Sequence, residues 1–99
     1  MLLNLVEKII ILYDYYGELF NDQQREYFEE YYFNNLSLAE IANNTGKSRN
    51  AIHKVIRRVC DKLEEYEEVL RLYQKDNKLR EIIKKIDNNE IRKELEELI

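Results

Sequence analysis

The sequence predicts an all-α protein: a helix-turn-helix bundle with a long recognition helix and a C-terminal helical extension. Three observations carry this reading. The 99 residues contain no proline and only two glycines, so the usual punctuation of short elements is nearly absent. Apolar residues recur at spacings of three and four along most of the chain, the period of an amphipathic helix. Two adjacent segments each open on a serine and are joined by a short stretch containing Gly46, the pattern of two capped helices around a tight turn.

The elements follow in order. From Leu3 to Tyr16, the positions Val6, Ile9, Ile10, Tyr13 and Tyr16 line one helical face, and Gly17 is expected to stop that helix. Asn21, with Gln24 three positions on, predicts a capped second helix bearing a core stripe of Tyr27, Phe28, Tyr31 and Tyr32. Ser37 and Glu40 form a capping-box pattern for a short third helix, with Ile41 and Ala42 turned inward. Gly46, or Asn44, supplies the positive φ of the turn, and Ser48 caps the fourth helix. There Ile52, Ile56, Val59, Leu63, Tyr66, Leu70 and Tyr73 alternate spacings of four and three. That seam predicts one continuous helix from Ser48 to about Tyr73, with neighbours along its length and room for a second copy of the chain. Leu79, Ile82, Ile83 and Ile86, then Ile91, Leu95 and Leu98, predict one or two further helices on either side of Asp87-Asn88-Asn89.

Length and composition bound the organisation. One domain is expected over residues 1–99, comprising N-terminal helices over 1–35, the helix-turn-helix over 37–63, and the rest of the long helix with C-terminal helices over 64–99. Hydrophobic residues at 44% and charged residues at 36% fit a folded, soluble chain. A single cysteine, Cys60, excludes an internal disulfide framework and points to a reducing, cytoplasmic setting. The apolar stretch MLLNLVEKIIILYDYY is interrupted by Glu7, Lys8 and Asp14. It reads as a buried helix, and no membrane insertion is expected.

Charge is distributed unevenly. Residues 1–35 hold two basic and seven acidic side chains, net −5; residues 36–63 hold six and two, net +4; residues 64–99 hold eight and eleven, net −3. A positive patch inside an acidic chain of net −4 is the footprint expected of a site for a polyanion. With Ile52 at the centre of the buried side, steps of about 100° put Asn50, Lys54 and Arg57 on the opposite face. Arg49, His53 and Arg58 flank them. The same face then turns acidic at Asp61, Glu64, Glu65, Glu67 and Glu68. A duplex therefore has to leave the protein by about residue 61, or else the acidic band docks a basic protein. Arg49, Asn50, His53 and Lys54 sit at the helix end that meets base edges in helix-turn-helix docking. Lys47, Arg57 and Arg58 suit phosphates.

Catalysis finds no footing. His53 and Cys60 are seven positions apart on one helix, about 10.5 Å of axis, too far for a nucleophile–base pair. One His and one Cys make a poor zinc site. The chain is read as non-enzymatic, with no cofactor and no metal.

Four segments together resemble a known family. EYFEEYY (26–32), SLAEIA (37–42), SRNAIHKVIRR (48–58) and LEEYEEVLRLY (63–73) are similar in order and spacing to the small bacterial YlxM proteins, over about residues 5–86. These are DNA-binding helix-turn-helix proteins related to region 4 of bacterial sigma factors. The resemblance implies an all-α, sigma region 4-like (winged-helix-like) fold, a homodimer, and an accessory regulatory place in the signal recognition particle pathway. It also implies a recognition helix using Arg49, Asn50, His53, Lys54 and Arg57. Thr45 and Lys47 depart from the apolar residues common at those turn positions. Two functions follow: a regulator that binds DNA or RNA through the basic end of the long helix, or a protein-interaction module that binds a targeting GTPase through the acidic flank.

Overall fold

The computed structural model describes residues 3–99; Met1 and Leu2, which begin the apolar N-terminal stretch, lie outside the described residues. The elements are α1 (Leu5–Tyr16), a single 3-10 turn (Gly17–Leu19), α2 (Asp22–Tyr32), α3 (Leu38–Thr45), α4 (Arg49–Leu70), α5 (Leu72–Ile83) and α6 (Asn89–Glu96). No strand occurs among the described residues, so the fold is all-α and carries no wing there.

The local signals act as their chemistry requires. Asn21 and Gln24 close a reciprocal capping box on α2, and Ser37 and Glu40 close another on α3, each satisfying two backbone donors that a helix start leaves free. Gly46 ends α3 at φ 72°, and Ser48 Oγ accepts from the Ala51 N–H at 3.1 Å to start α4. Asn88 caps α6 in the same way.

Helix α4 is the spine. Its seam residues Ile52, Val59 and Leu63 are completely buried and Ile56 nearly so, each contributing roughly 1.5–3 kcal/mol through burial. Toward one end the seam packs on Ile9, Leu12, Tyr13, Tyr16, Phe20 and Phe28 of the α1–α2 segment. Toward the other it packs on Tyr27 of α2 and Ile41 of α3. The chain's own helices thus cover the seam from Ile52 to Leu63, while Leu70 near its end stays 43% exposed.

Three expectations are corrected. The long helix ends at Leu70 instead of continuing through Tyr73, because Arg71 takes the left-handed conformation at φ 56°. Val6 is exposed, and Leu12 takes its place inside, because the buried face of α1 runs through Ile9, Leu12, Tyr13 and Tyr16. Tyr31 is exposed and only its edge meets Tyr32. Gly17 does cap the end of α1, as expected, with φ −56° rather than a left-handed value. Its missing side chain also gives space, since a Cβ there would lie 3.2 Å from the ring of Tyr13. That ring is itself fixed by stacking on Phe28 at 4.1 Å.

The molecule is elongated, 56 × 27 × 24 Å. Helix α5 packs on α1 and on the end of α4, and α6 packs on α5. None of the helices is long and apolar enough to cross a membrane among the described residues.

Candidate nucleic-acid interface

The turn between α3 and α4 is built from backbone and short side chains. Thr45 Oγ1 donates to the Ile41 carbonyl at 2.8 Å and accepts from the Lys47 N–H at 3.4 Å. A polar residue here therefore pins the turn, which accounts for Thr45 at a position often apolar. Beneath it the fully buried Ile41 and Ile52 lock α3 against α4.

On that scaffold Lys47, Arg49, Asn50, His53, Lys54, Arg57 and Arg58 are all exposed. Arg49, Asn50 and His53 come together around one shallow depression, with Ser48 and Leu38 completing its wall. Lys54 and Arg57 continue the same face of α4. From Asn50 to Arg57 the row spans about 10.5 Å of helix axis, a length that a major groove about 12 Å wide admits. The two ion pairs among the described residues are Arg25–Glu29 at 3.6 Å and Lys62–Glu65 at 3.1 Å, so none of these five cations is neutralised by a carboxylate. Lys62, basic in the sequence count, belongs through Glu65 to the acidic half. Leu38 was not anticipated in this wall; its only sequence signal was an apolar side chain directly after a cap.

Charge changes character further along α4. Glu64, Glu65 and Glu68 stay exposed, but Glu67 is buried at 5% exposure, contrary to its expected place in the acidic band. Tyr16 reaches across from α1 and donates its hydroxyl to Glu67 Oε1 at 2.6 Å. The same carboxylate accepts the Tyr73 and Gln74 N–H groups at 3.1 and 3.0 Å, and Tyr16 Oη accepts the Leu72 N–H at 3.1 Å. The free donors at the start of α5 are thus capped from α1 and α4 rather than from α5 itself. This cap holds Arg71 in a conformation costing about 1–2 kcal/mol for a residue with a Cβ and ends α4 there.

Two more tyrosines of α1 act alike. Tyr13 donates to Glu29 of α2 at 2.6 Å, and Tyr15 to Asp76 of α5 at 2.7 Å. Burial, and then the acceptor carboxylates Glu29 and Glu67, push the Tyr13 and Tyr16 phenols up to about 12. Burial also raises Tyr32 and Cys60, which share a hydrogen bond at 3.6 Å. Cys60 is half-buried and held as the thiol, the unreactive form. Among the described residues no three His, Cys, Asp or Glu side chains come together as a metal site.

Comparison of the sequence with known proteins identifies its family. The family described as "Putative helix-turn-helix protein, YlxM / p13 like" matches residues 3–99. This chain belongs to that family. A UPF0122 protein of Malacoplasma penetrans is 41% identical over 86 residues, covering 87% of this chain and 80% of the relative. One from Ureaplasma urealyticum serovar 10 is 38% identical over 90 residues, covering 91% of each. One from Caldanaerobacter subterraneus subsp. tengcongensis is 45% identical over 76 residues, covering 77% of this chain and 65% of the relative.

Proposed function

We propose that this YlxM-type protein is a non-catalytic, cytoplasmic regulator that binds nucleic acid through the leading turns of α4. The observation that carries the reading is the depression at the start of α4. There Arg49, Asn50 and His53 converge beside Leu38, in line with the unpaired Lys54 and Arg57. Arg49 and Asn50 have the donor geometry for guanine and adenine edges, and Leu38 offers an apolar contact for a thymine methyl. Lys47, Arg57 and Arg58 take phosphates, helped by the backbone donors of the α4 N-terminus. The physiological ligand is assigned to the signal recognition particle pathway, as DNA at its genes or as the particle RNA.

The test is a salt titration of binding to duplex DNA, the particle RNA and the particle GTPase side by side. Four to six phosphate contacts give a log–log slope of about −4 to −5. Binding that does not change with salt would falsify the reading.

A second reading, docking of a basic targeting protein on the acidic flank, is favoured by Glu64, Glu65 and Glu68 remaining exposed while Glu67 is withdrawn. Reversing those three exposed residues to Lys should then abolish nuclease-resistant co-purification with the GTPase. A homodimer would use the exposed end of the seam and the apolar surface beside it, where Val69, Leu70 and Leu72 are 79, 43 and 41% exposed. Solution mass across micromolar concentrations decides that question.

A further inference from the structure

A second positive region lies at the far end of α4 from the recognition turns. Residues 71–86 carry six basic side chains (Arg71, Lys75, Lys78, Arg80, Lys84, Lys85) against two acidic ones (Asp76, Glu81), net +4. One of the two acids, Asp76, is engaged by Tyr15. Where α6 packs on α5 the positive charge becomes a cleft, lined by Arg80, Lys84 and Arg92 together with Ile83, Ile99 and one carboxylate, Glu96. None of the three cations is ion-paired among the described residues. Arg80 has a long hydrogen bond of 3.5 Å to Asn77. Arg92 Nε is withdrawn from solvent and meets no protein acceptor among the described residues, which leaves that donor open to a water or a ligand atom.

We propose that the cleft between α5 and α6 binds a phosphate group through Arg80, Lys84 and Arg92. Two guanidinium forks and one ammonium converging from two helices suit an oxyanion with several acceptor oxygens. The buried Ile83 in the lining lowers the local dielectric and strengthens the attraction. The surrounding net charge draws an anion toward the cleft. Glu96 is the internal competitor: protonated or replaced, it leaves more positive charge for the ligand. The phosphate is either a small free one or one in a nucleic-acid backbone, and in both cases the site is independent of the α4 surface.

The experiment follows the Arg92 Nε–H resonance by 15N NMR while the full chain is titrated with inorganic phosphate at low chloride, and separately with a 20-nucleotide RNA. Saturable movement with inorganic phosphate assigns a small free phosphate. Movement with the RNA alone assigns a backbone phosphate. In either arm Lys84→Met or Arg80→Met, both at exposed positions, should weaken binding at least tenfold, and Glu96→Gln should tighten it. Lys78→Met, about 140° round α5 from Ile83, should leave it unchanged. No movement in either arm, or a Lys78→Met effect equal to that of Lys84→Met, overturns the proposal. Arg57→Ala keeps failure at α4 distinguishable, because it should leave the inorganic phosphate titration unaltered.

Discussion

The two halves of α4 carry charge for opposite purposes. In the first half Arg49, Lys54, Arg57 and Arg58 stand in solvent with no ion pair among the described residues; in the second, Glu67 turns inward and receives three hydrogen bonds. A charge in water with no partner contributes little to folding and remains free for a ligand. A charge taken out of water has to be satisfied by the fold, and removing its partners is costly. The same helix thus separates availability from structural duty within about six turns.

Substitutions can break this contrast. The largest expected effect is at Glu67. Glu67→Ala removes the cap on α5 and leaves three donors without their acceptor, that of Tyr16 fully buried, so urea denaturation should show a loss of about 3 kcal/mol. Arg57→Ala on the other half should stay within about 0.5 kcal/mol in the same assay. In a binding assay the order inverts: Arg49→Ala or Asn50→Ala should relax sequence preference by about 1–3 kcal/mol, whereas Glu67→Gln leaves it unchanged. Arg57→Ala and Arg58→Ala should each lower the salt slope by about 1 across all sequences.

Tyr16→Phe should cost about 1–2 kcal/mol, because the Leu72 N–H loses its acceptor and Glu67 its donor. Gly46→Ala should cost about 1 kcal/mol through the left-handed backbone alone, since nothing lies near its missing Cβ.

The signal most specific to the tyrosines is alkaline. The folded phenols of Tyr13 and Tyr16 sit at about 12 against an ordinary 10.0, so the folded state holds their protons longer than the unfolded chain does. Their contribution is complete below pH 10 and is lost as pH rises from 10 toward 12. Denaturation midpoints taken at pH 8, 10 and 11.5 should fall only in the last interval. Tyr16→Phe should reduce that fall.

Much of the architecture was legible because its determinants are local. Caps at Asn21, Ser37 and Ser48, the glycine turn at Gly46 and the period of Ile52, Ile56, Val59 and Leu63 each need only a few neighbouring residues. The outward direction of Asn50, Lys54 and Arg57 followed from the same period. The end of α4 was not legible. Its apolar spacing runs on to Tyr73, and nothing near Arg71 in sequence calls for a left-handed residue. The break is imposed by Tyr16, 51 positions before Glu67. Leu38 and the α5–α6 cleft escaped for the same reason, since each gains its surroundings only when separate helices meet.

The three tyrosines of α1 also set an order of assembly. Their carboxylate partners lie 16, 51 and 61 positions downstream. Helix α1 therefore finishes docking only once Asp76 has left the ribosome, and a ribosome-bound fragment ending just before Asp76 should leave the Tyr15 hydroxyl without its partner.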